Sequence, residues 1–142
     1  MTRITLAQAD AIIAAALEEG RRLNLKPLTI VVLDAGGVPV ALRREDGASN
    51  LRPQLATGKA AGALALGMSS RAIAEVAEAR PSFVGSLGAI APGGLIPAAG
   101  GVLVVDDEGR TIGAVGATGD TSDNDELCVL AGLKAAGLRA QG

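Results

Sequence analysis

Two segments of the sequence have the pattern of a β-hairpin, and together they restrict the available folds more than any other feature. The first is "LTIVVLDAGGVPVALRR", residues 28–44, in which a glycine turn joins two apolar runs and Pro39 suits an edge strand. The second is "GVLVVDDEGRTIGAVGA", residues 101–117, with a turn at residues 107–109. Since hairpins join antiparallel strands, the chain is predicted to build an antiparallel sheet.

Helical patterns lie before, between and after the two hairpins. Residues 5–23 begin with the capping box Thr5-x-x-Gln8 and continue with apolar residues at helical spacing. The other predicted helices cover residues 51–67, 71–80 and 121–138. Helices that cover a sheet give an α+β fold, and because no linker divides the chain we predict a single domain over residues 1–142.

The segment "PSFVGSLGAIAPGGLIPAAGG", residues 81–101, is predicted to be a long irregular loop. It is too rich in Gly and Pro for a regular element and too apolar for a solvated linker. Long loops in compact domains usually cover a site or a partner surface, so we expect a pocket under residues 89–101. The loop and the small-residue face of the helix at residues 51–67 both need cover, which predicts a homo-oligomer.

The composition excludes several classes of partner. The formal charge is −2, no basic run occurs, and Phe83 is the only aromatic residue, so nucleic-acid binding is not expected. The single cysteine cannot form an intrachain disulfide and fits a reducing compartment. No stretch has the length and apolarity of a membrane span. We therefore expect a cytoplasmic protein without a membrane partner.

The acidic stretch "GATGDTSDNDELC", residues 116–128, fits the start of a helix better than a metal or catalytic site. Thr121, Ser122 and Asp123 are each good N-caps, and acids in a first turn are favoured by the helix dipole. The spacing is not that of a calcium loop, and zinc is improbable without histidine, so no metal site is predicted.

Three cations are candidates for binding an anionic ligand: Arg43 and Arg44 at a strand end, and Lys59 among small residues. One hypothesis is an accessory protein that holds a small acidic metabolite by these cations. Adjacent strand residues face opposite sides, so which of the two arginines faces the pocket stays open. The other hypothesis is a cofactor-independent isomerase, tautomerase or lyase on an oxo-acid. Lys59 would then be electrophile or Schiff-base amine, and Asp46 or Glu126 the proton shuttle.

Four motifs in order and spacing resemble the GlcG/HbpS-like family, often called the haem-degrading domain. They are "VVLDAGGVPVALRREDGA", "ATGKAAGAL", "GGVLVVDDEGRTIGAVGATG" and "DNDELC", which begin at residues 31, 56, 100 and 123. The resemblance implies a five-stranded antiparallel sheet flanked by helices, PAS- or roadblock-like in shape, and assembly into dimers or larger homo-oligomers.

The resemblance also implies a function class and a pocket. Members include haem-binding proteins, cobalamin-associated domains and unassigned proteins of small-molecule catabolism. By motif match, the residues that line or support the pocket are Asp34, Arg43, Asp46, Lys59, Asp125 and Glu126. We add Arg44 and Phe83 as candidate ligand contacts.

The absence of histidine argues against a haem or cobalamin cofactor in this chain. The remaining donors for iron are Met1, Met68, Cys128 or a deprotonated lysine, and a pocket poor in rings stacks a porphyrin badly. We therefore expect no cofactor and a small-molecule ligand instead.

Overall fold

A computed structural model of the chain, which describes residues 2–142, contains one five-stranded antiparallel sheet in the order β2-β1-β4-β3-β5. The strands are β1 (Thr29–Asp34), β2 (Pro39–Arg44), β3 (Gly101–Val105), β4 (Thr111–Thr118) and β5 (Arg139–Ala140). The helices are α1 (Leu6–Arg22), α2 (Arg52–Leu66), α3 (Ser70–Ala79), α4 (Pro81–Leu87) and α5 (Ser122–Ala135). Within residues 2–142, no helix has both the length and the apolarity needed to cross a membrane. The α+β fold with a five-stranded sheet is therefore confirmed.

The sheet is covered on both faces, because alternate side chains of its buried strands point to opposite sides. Ile30 and Val32 of β1 lie in the core with α1 and α5, whereas Val31 and Leu33 lie in the core with α2. Helix α1 begins at the predicted capping box, in which Thr5 and Gln8 satisfy each other's backbone N–H groups. Strand β2 is an edge of the sheet and is the least buried of the four long strands.

Helix α2 lies unusually close to the sheet, which explains how a chain with one aromatic ring fills its core. A Cβ atom on Gly116 of β4 would lie 2.1 Å from the Ala56 carbonyl oxygen. A Cβ atom on Gly101 of β3 would lie 2.2 Å from the Lys59 carbonyl oxygen. Glycine at both strand positions therefore lets the helix backbone contact the sheet backbone, and no space is left for rings.

The segment predicted as one long loop contains a helix and packs differently from the prediction. Residues 81–87 form α4, because proline is favoured in a first helical turn and Val84 packs with Ile73 and Leu95. Residues 93–96 then lie directly on α2, where Leu95 covers Gly62 and Ile96 covers Gly58. Residues 95 and 96 leave no pocket between themselves and α2, because their side chains fill the space, whereas residues 97–99 border a surface cleft. The small-residue face of α2 is covered by the chain itself.

Candidate functional site

Three of the predicted site residues meet in one groove at the end of strand β2. The groove has a volume of about 580 Å³ and lies between the last turn of α1 and the chain on either side of the β1–β2 hairpin. Its residues, named here the β2-end groove, are Leu17, Gly20, Arg21, Leu25, Pro27, Arg43, Arg44, Glu45 and Asp46. Arg43, Arg44 and Asp46 therefore border a common space, which lies away from the predicted position under residues 89–101.

The arginines of the β2-end groove make weak ion pairs. Arg43 contacts Asp10 of α1 at 3.3 Å, and both side chains are about half exposed. Arg21 contacts Glu45 at 3.4 Å, while the other carboxylate oxygen of Glu45 accepts a hydrogen bond from the Leu28 N–H at 2.8 Å. Exposed pairs of this kind contribute about 0–1 kcal/mol, so a ligand carboxylate could replace them at little cost.

The two neighbouring arginines of β2 face opposite sides of the sheet. Arg43 is in register with Ile30 and lies on the α1 side. Arg44 is in register with Thr29 and lies on the α2 side, where its Nη1 donates to the Asn50 side-chain oxygen at 3.2 Å. Arg43 therefore belongs to the α1 face and Arg44 to the α2 face, although both border the groove.

Lys59 and Asp125 form a buried ion pair away from the groove. Their side chains are 5% and 1% exposed, and Lys59 Nζ lies 3.2 Å from Asp125 Oδ2. The same ammonium donates to the Ala117 carbonyl at 3.0 Å, while the Ala117 N–H donates to Gly100. In a regular antiparallel pair, the Ala117 carbonyl would accept a hydrogen bond from a backbone N–H of the opposite strand. Lys59 Nζ takes the place of that N–H at the point where β3 begins.

For both members of this pair, the loss of hydration on burial shifts the pKa more than the attraction between the two charges does. Loss of hydration lowers the pKa of the Lys59 ammonium from its usual value, against the pull of Asp125. Loss of hydration likewise raises the pKa of the Asp125 carboxyl, although Asp125 Oδ1 accepts from the Asp120 N–H at 2.9 Å. Neither residue lines the β2-end groove. The predicted catalytic lysine is therefore held by protein atoms, and the structure brings it together with Asp125 but not with Asp46.

The acidic stretch at the start of α5 has structural partners. Thr121, rather than Ser122 or Asp123, is the N-cap, because its hydroxyl accepts from the Asn124 N–H at 3.3 Å. Asp123 and Glu126 both bind Arg71 of α3, at 2.6 Å and 3.1 Å. Glu126 therefore lies apart from the groove, beside a surface cleft of about 460 Å³ bordered by Arg71, Asp123 and residues 97–99. Within residues 2–142, no group of three or more His, Cys, Asp or Glu side chains is placed to hold a metal ion.

The last two predicted residues lie elsewhere. Asp34 closes the β1–β2 turn, where its Oδ1 accepts from the Gly36 and Val38 N–H groups at 2.9 and 3.0 Å. It borders a cleft of about 690 Å³ at the hairpin-turn end of the sheet. Phe83 is 45% exposed on α4, with the Arg80 guanidinium carbon 4.1 Å from its ring centroid. Neither residue borders the β2-end groove.

Sequence reasoning missed a polar cluster on the α2 side of the sheet. Arg52, the first residue of α2, donates from Nη1 to Thr118 Oγ1 at 2.8 Å. Thr29 lies in register with Thr118 and is fully buried. Thr29 was taken as an ordinary strand residue, since β-branched residues favour strands, and Thr118 was left outside the predicted strand, which ended at residue 117. The signal available in the sequence was that each threonine stands at one end of an apolar run: Thr29 at the start of the first and Thr118 after the last residue of the second.

Comparisons with known structures support a common fold. The Klebsiella pneumoniae protein ORFY is 27% identical, with 96% of this chain and 93% of that chain covered and a TM-score of 0.85. A double mutant of Streptomyces reticuli HbpS is also 27% identical, with coverages of 94% and 87% and a TM-score of 0.81. The PduOC:haem complex shares the fold at 20% identity, with coverages of 99% and 100% and a TM-score of 0.87.

Comparisons of sequence give one family and no individual relative. No curated protein matches the chain. The model of the family described as haem degrading protein HbpS-like matches residues 4–134, which is nearly the whole sequence. This match agrees with the four motifs and with the shared fold. The chain therefore belongs to the HbpS-like family of haem-degrading proteins.

Proposed function

We propose that the chain binds a small acidic metabolite in the β2-end groove, as an accessory protein of bacterial catabolism. The observation that carries the proposal is the meeting of Arg21 and Arg43, both on the α1 side, at one groove of about 580 Å³. That volume falls within the range of about 300–1,000 Å³ typical of small-molecule sites. Leu17, Leu25 and other apolar residues of the groove would cover the carbon skeleton of the ligand, and a guanidinium would hold its carboxylate in a bidentate pair.

Haem, which the PduOC:haem complex contains, does not fit the donor atoms of this chain. The sequence has no histidine, and Met1 lies outside the described residues. Cys128 is buried, and burial raises the pKa of its thiol to about 11, so the thiolate that binds iron is not formed near neutral pH. Met68 packs against the cluster of Ile73, Val84 and Leu95. We therefore include neither haem nor a corrinoid in the proposal.

The enzymatic alternative has less support. An isomerase, tautomerase or lyase built on Lys59 would need that amine to reach an oxo-acid. The ammonium instead contacts Asp125 and the Ala117 carbonyl, and 5% of the side chain is exposed. Turnover is therefore not part of the proposal.

We further propose a homo-oligomer in the cytoplasm. The small-residue face of α2 no longer supports assembly, but Leu42 and Leu51 beside it are 39% and 60% exposed. Exposed apolar side chains of this size favour an interface. A monomer mass in light scattering at micromolar concentration would contradict the oligomer. The single buried thiol supports a reducing compartment, which cell fractionation can test.

Isothermal titration with a panel of small mono- and dicarboxylates tests the binding proposal. We expect at least one acid to bind the wild type and to bind Arg43→Gln at least tenfold more weakly, a loss of about 1.4 kcal/mol. Arg22→Gln is the matched control, because Arg22 is held by Glu19 on α1 and does not border the groove. Equal affinity in Arg43→Gln, or no binding by any acid of the panel, would rule the proposal out.

A further inference from the structure

We propose a second binding site, for the oxyanion of a carboxylate or a phosphate monoester, at the start of helix α2. Its residues, named here the α2-start site, are Thr29, Arg44, Arg52 and Thr118. The site stands on contacts on the α2 side of the sheet. Arg44 borders the β2-end groove as well, whereas Thr29, Arg52 and Thr118 do not.

Strand register places three of these side chains in one row. Thr29 of β1 is opposite Arg44 of β2 on one side and opposite Thr118 of β4 on the other. Directly opposite residues of antiparallel strands project from the same face with Cβ atoms about 5 Å apart. Val31 and Leu33, which alternate with Thr29, lie in the core under α2. The row therefore faces α2.

Arg52 completes the site from above the row. Its Nη1 donates to Thr118 Oγ1 at 2.8 Å, and no side chain caps the helix that it begins. Arg44 donates to the neutral oxygen of Asn50 at 3.2 Å. Each of the two guanidinium groups thus donates to a neutral oxygen near an uncapped helix start, a place where an anion is favoured.

Neither guanidinium has a carboxylate partner. Among residues 2–142, Arg44 and Arg52 form no ion pair within 4 Å, whereas acids hold five other arginines: Arg21, Arg22, Arg43, Arg71 and Arg110. The nearby ammonium of Lys59 is matched by Asp125. The positive charge of Arg44 and Arg52 is therefore left for a ligand.

A buried hydroxyl in the row also lacks a partner. Thr29 is 0% exposed, and its Oγ1 makes no hydrogen bond to any described residue. Buried polar groups in native proteins are nearly always satisfied, so an exception points to a missing partner. An oxygen of a bound anion beside Thr118 would accept from this hydroxyl and explain it.

The chemistry of the site selects an oxyanion with at least two terminal oxygens. The planar fork of arginine matches carboxylate and phosphate groups, and two forks can hold different oxygens of one group. Arg44 is exposed and Arg52 partly exposed, so an anion can reach them from solvent.

Scanning calorimetry with inorganic phosphate and with acetate, each against chloride at equal ionic strength, tests the site. We expect the melting temperature of the wild type to rise with at least one of the two anions, and the apparent affinity to fall at least tenfold in Arg52→Gln. Thr29→Val should weaken the response as well, yet without the anion it should be as stable as the wild type or more stable, because valine removes an unsatisfied hydroxyl at similar shape. Arg80→Gln, which changes another arginine without an acid partner, just before α4, should respond as the wild type does.

Three results would overturn the site. The first is a wild type that responds to neither anion beyond chloride. The second is an unchanged response in both Arg52→Gln and Thr29→Val, which would put the anion elsewhere. The third is a loss of stability in anion-free Thr29→Val, which would mean that the hydroxyl already has a partner. If Arg52→Gln does not fold, Thr29→Val and Arg52→Lys, which keeps the charge without the fork, decide the question. A response to phosphate alone indicates a phosphate monoester, and a response to acetate alone a carboxylate.

Discussion

Lys59 is the side chain whose replacement should cost the chain most. Lys59→Met should lower the free energy of unfolding by about 3–5 kcal/mol, because it leaves Asp125 buried without its partner. The double variant Lys59→Met, Asp125→Leu should recover most of that loss, since a buried pair can be replaced by apolar groups of similar volume. Urea unfolding of the three proteins measures this. A single variant as stable as the wild type would mean that the pair does not hold the fold.

Asp120 should make stability depend on pH in the acid range. Hydrogen bonds, first from the Asn124 side chain and then from the Lys26 backbone, lower the pKa of its carboxyl from 3.8 to about 2. The ionised group therefore stabilises the fold above about pH 4, and this contribution is lost as the pH falls from about 4 to 2. We expect Asp120→Asn to be less stable than the wild type at pH 6 and equally stable near pH 2. Urea midpoints of the two proteins that differ by the same amount at pH 6 and near pH 2 would contradict the assignment of this pH dependence to Asp120.

The sequence alone places Arg43, Arg44 and Asp46 near one another, but it does not identify the side chains that they contact. These three are close in sequence, so a local motif places them at one strand end. Lys59 was expected to contact a ligand, but its partner in the structure is Asp125, 66 residues later in the chain. The position of Glu126 depends on packing between α3 and α5, where it binds Arg71, and no local pattern encodes that contact. Whether any of these residues contacts a ligand stays a prediction.

Substitution of the N-cap residue tests the stability of one element, helix α5. Thr121→Ala should lower the free energy of unfolding by about 1 kcal/mol, because its hydroxyl satisfies the Asn124 N–H. Ser122→Ala is the matched control and should change stability by less than about 0.5 kcal/mol, since Ser122 lies inside the helix. Thermal unfolding compares the two. A larger loss of stability in Ser122→Ala than in Thr121→Ala would identify Ser122 as the N-cap instead.

The elements differ in how far sequence could predict them. Both hairpins were correct because short apolar runs and turn residues are local signals, and α1 was correct because its capping box is local too. Helix α4 was missed because Gly85 and the following glycines weakened its pattern, although Pro81 begins it. Strand β5 has two residues and pairs with Val104 and Val105, so it depends on a strand about 35 residues earlier.

The absence of histidine should decide the response of the intact protein to haemin. We expect no sharp one-to-one shift of the Soret band, because the sequence has no histidine and the buried thiol of Cys128 stays protonated. Spectrophotometric titration at neutral pH measures this, with the protein of the PduOC:haem complex as positive control. A low-spin spectrum at one haem per chain would contradict the expectation.

The Lys59–Asp125 contact joins two halves of the core that share no buried residue. One half contains α1 and α5, and the other contains α2 and the opposite face of the sheet. Cooperative units seen by hydrogen exchange follow such packing units. With the contact intact, amides of α2 and α5 should become exchangeable together, with the same opening free energy. In Lys59→Met, the amides of α2 should exchange earlier than those of α5. This one ammonium would then be what makes the helices on the two faces of the sheet open as a single foldon.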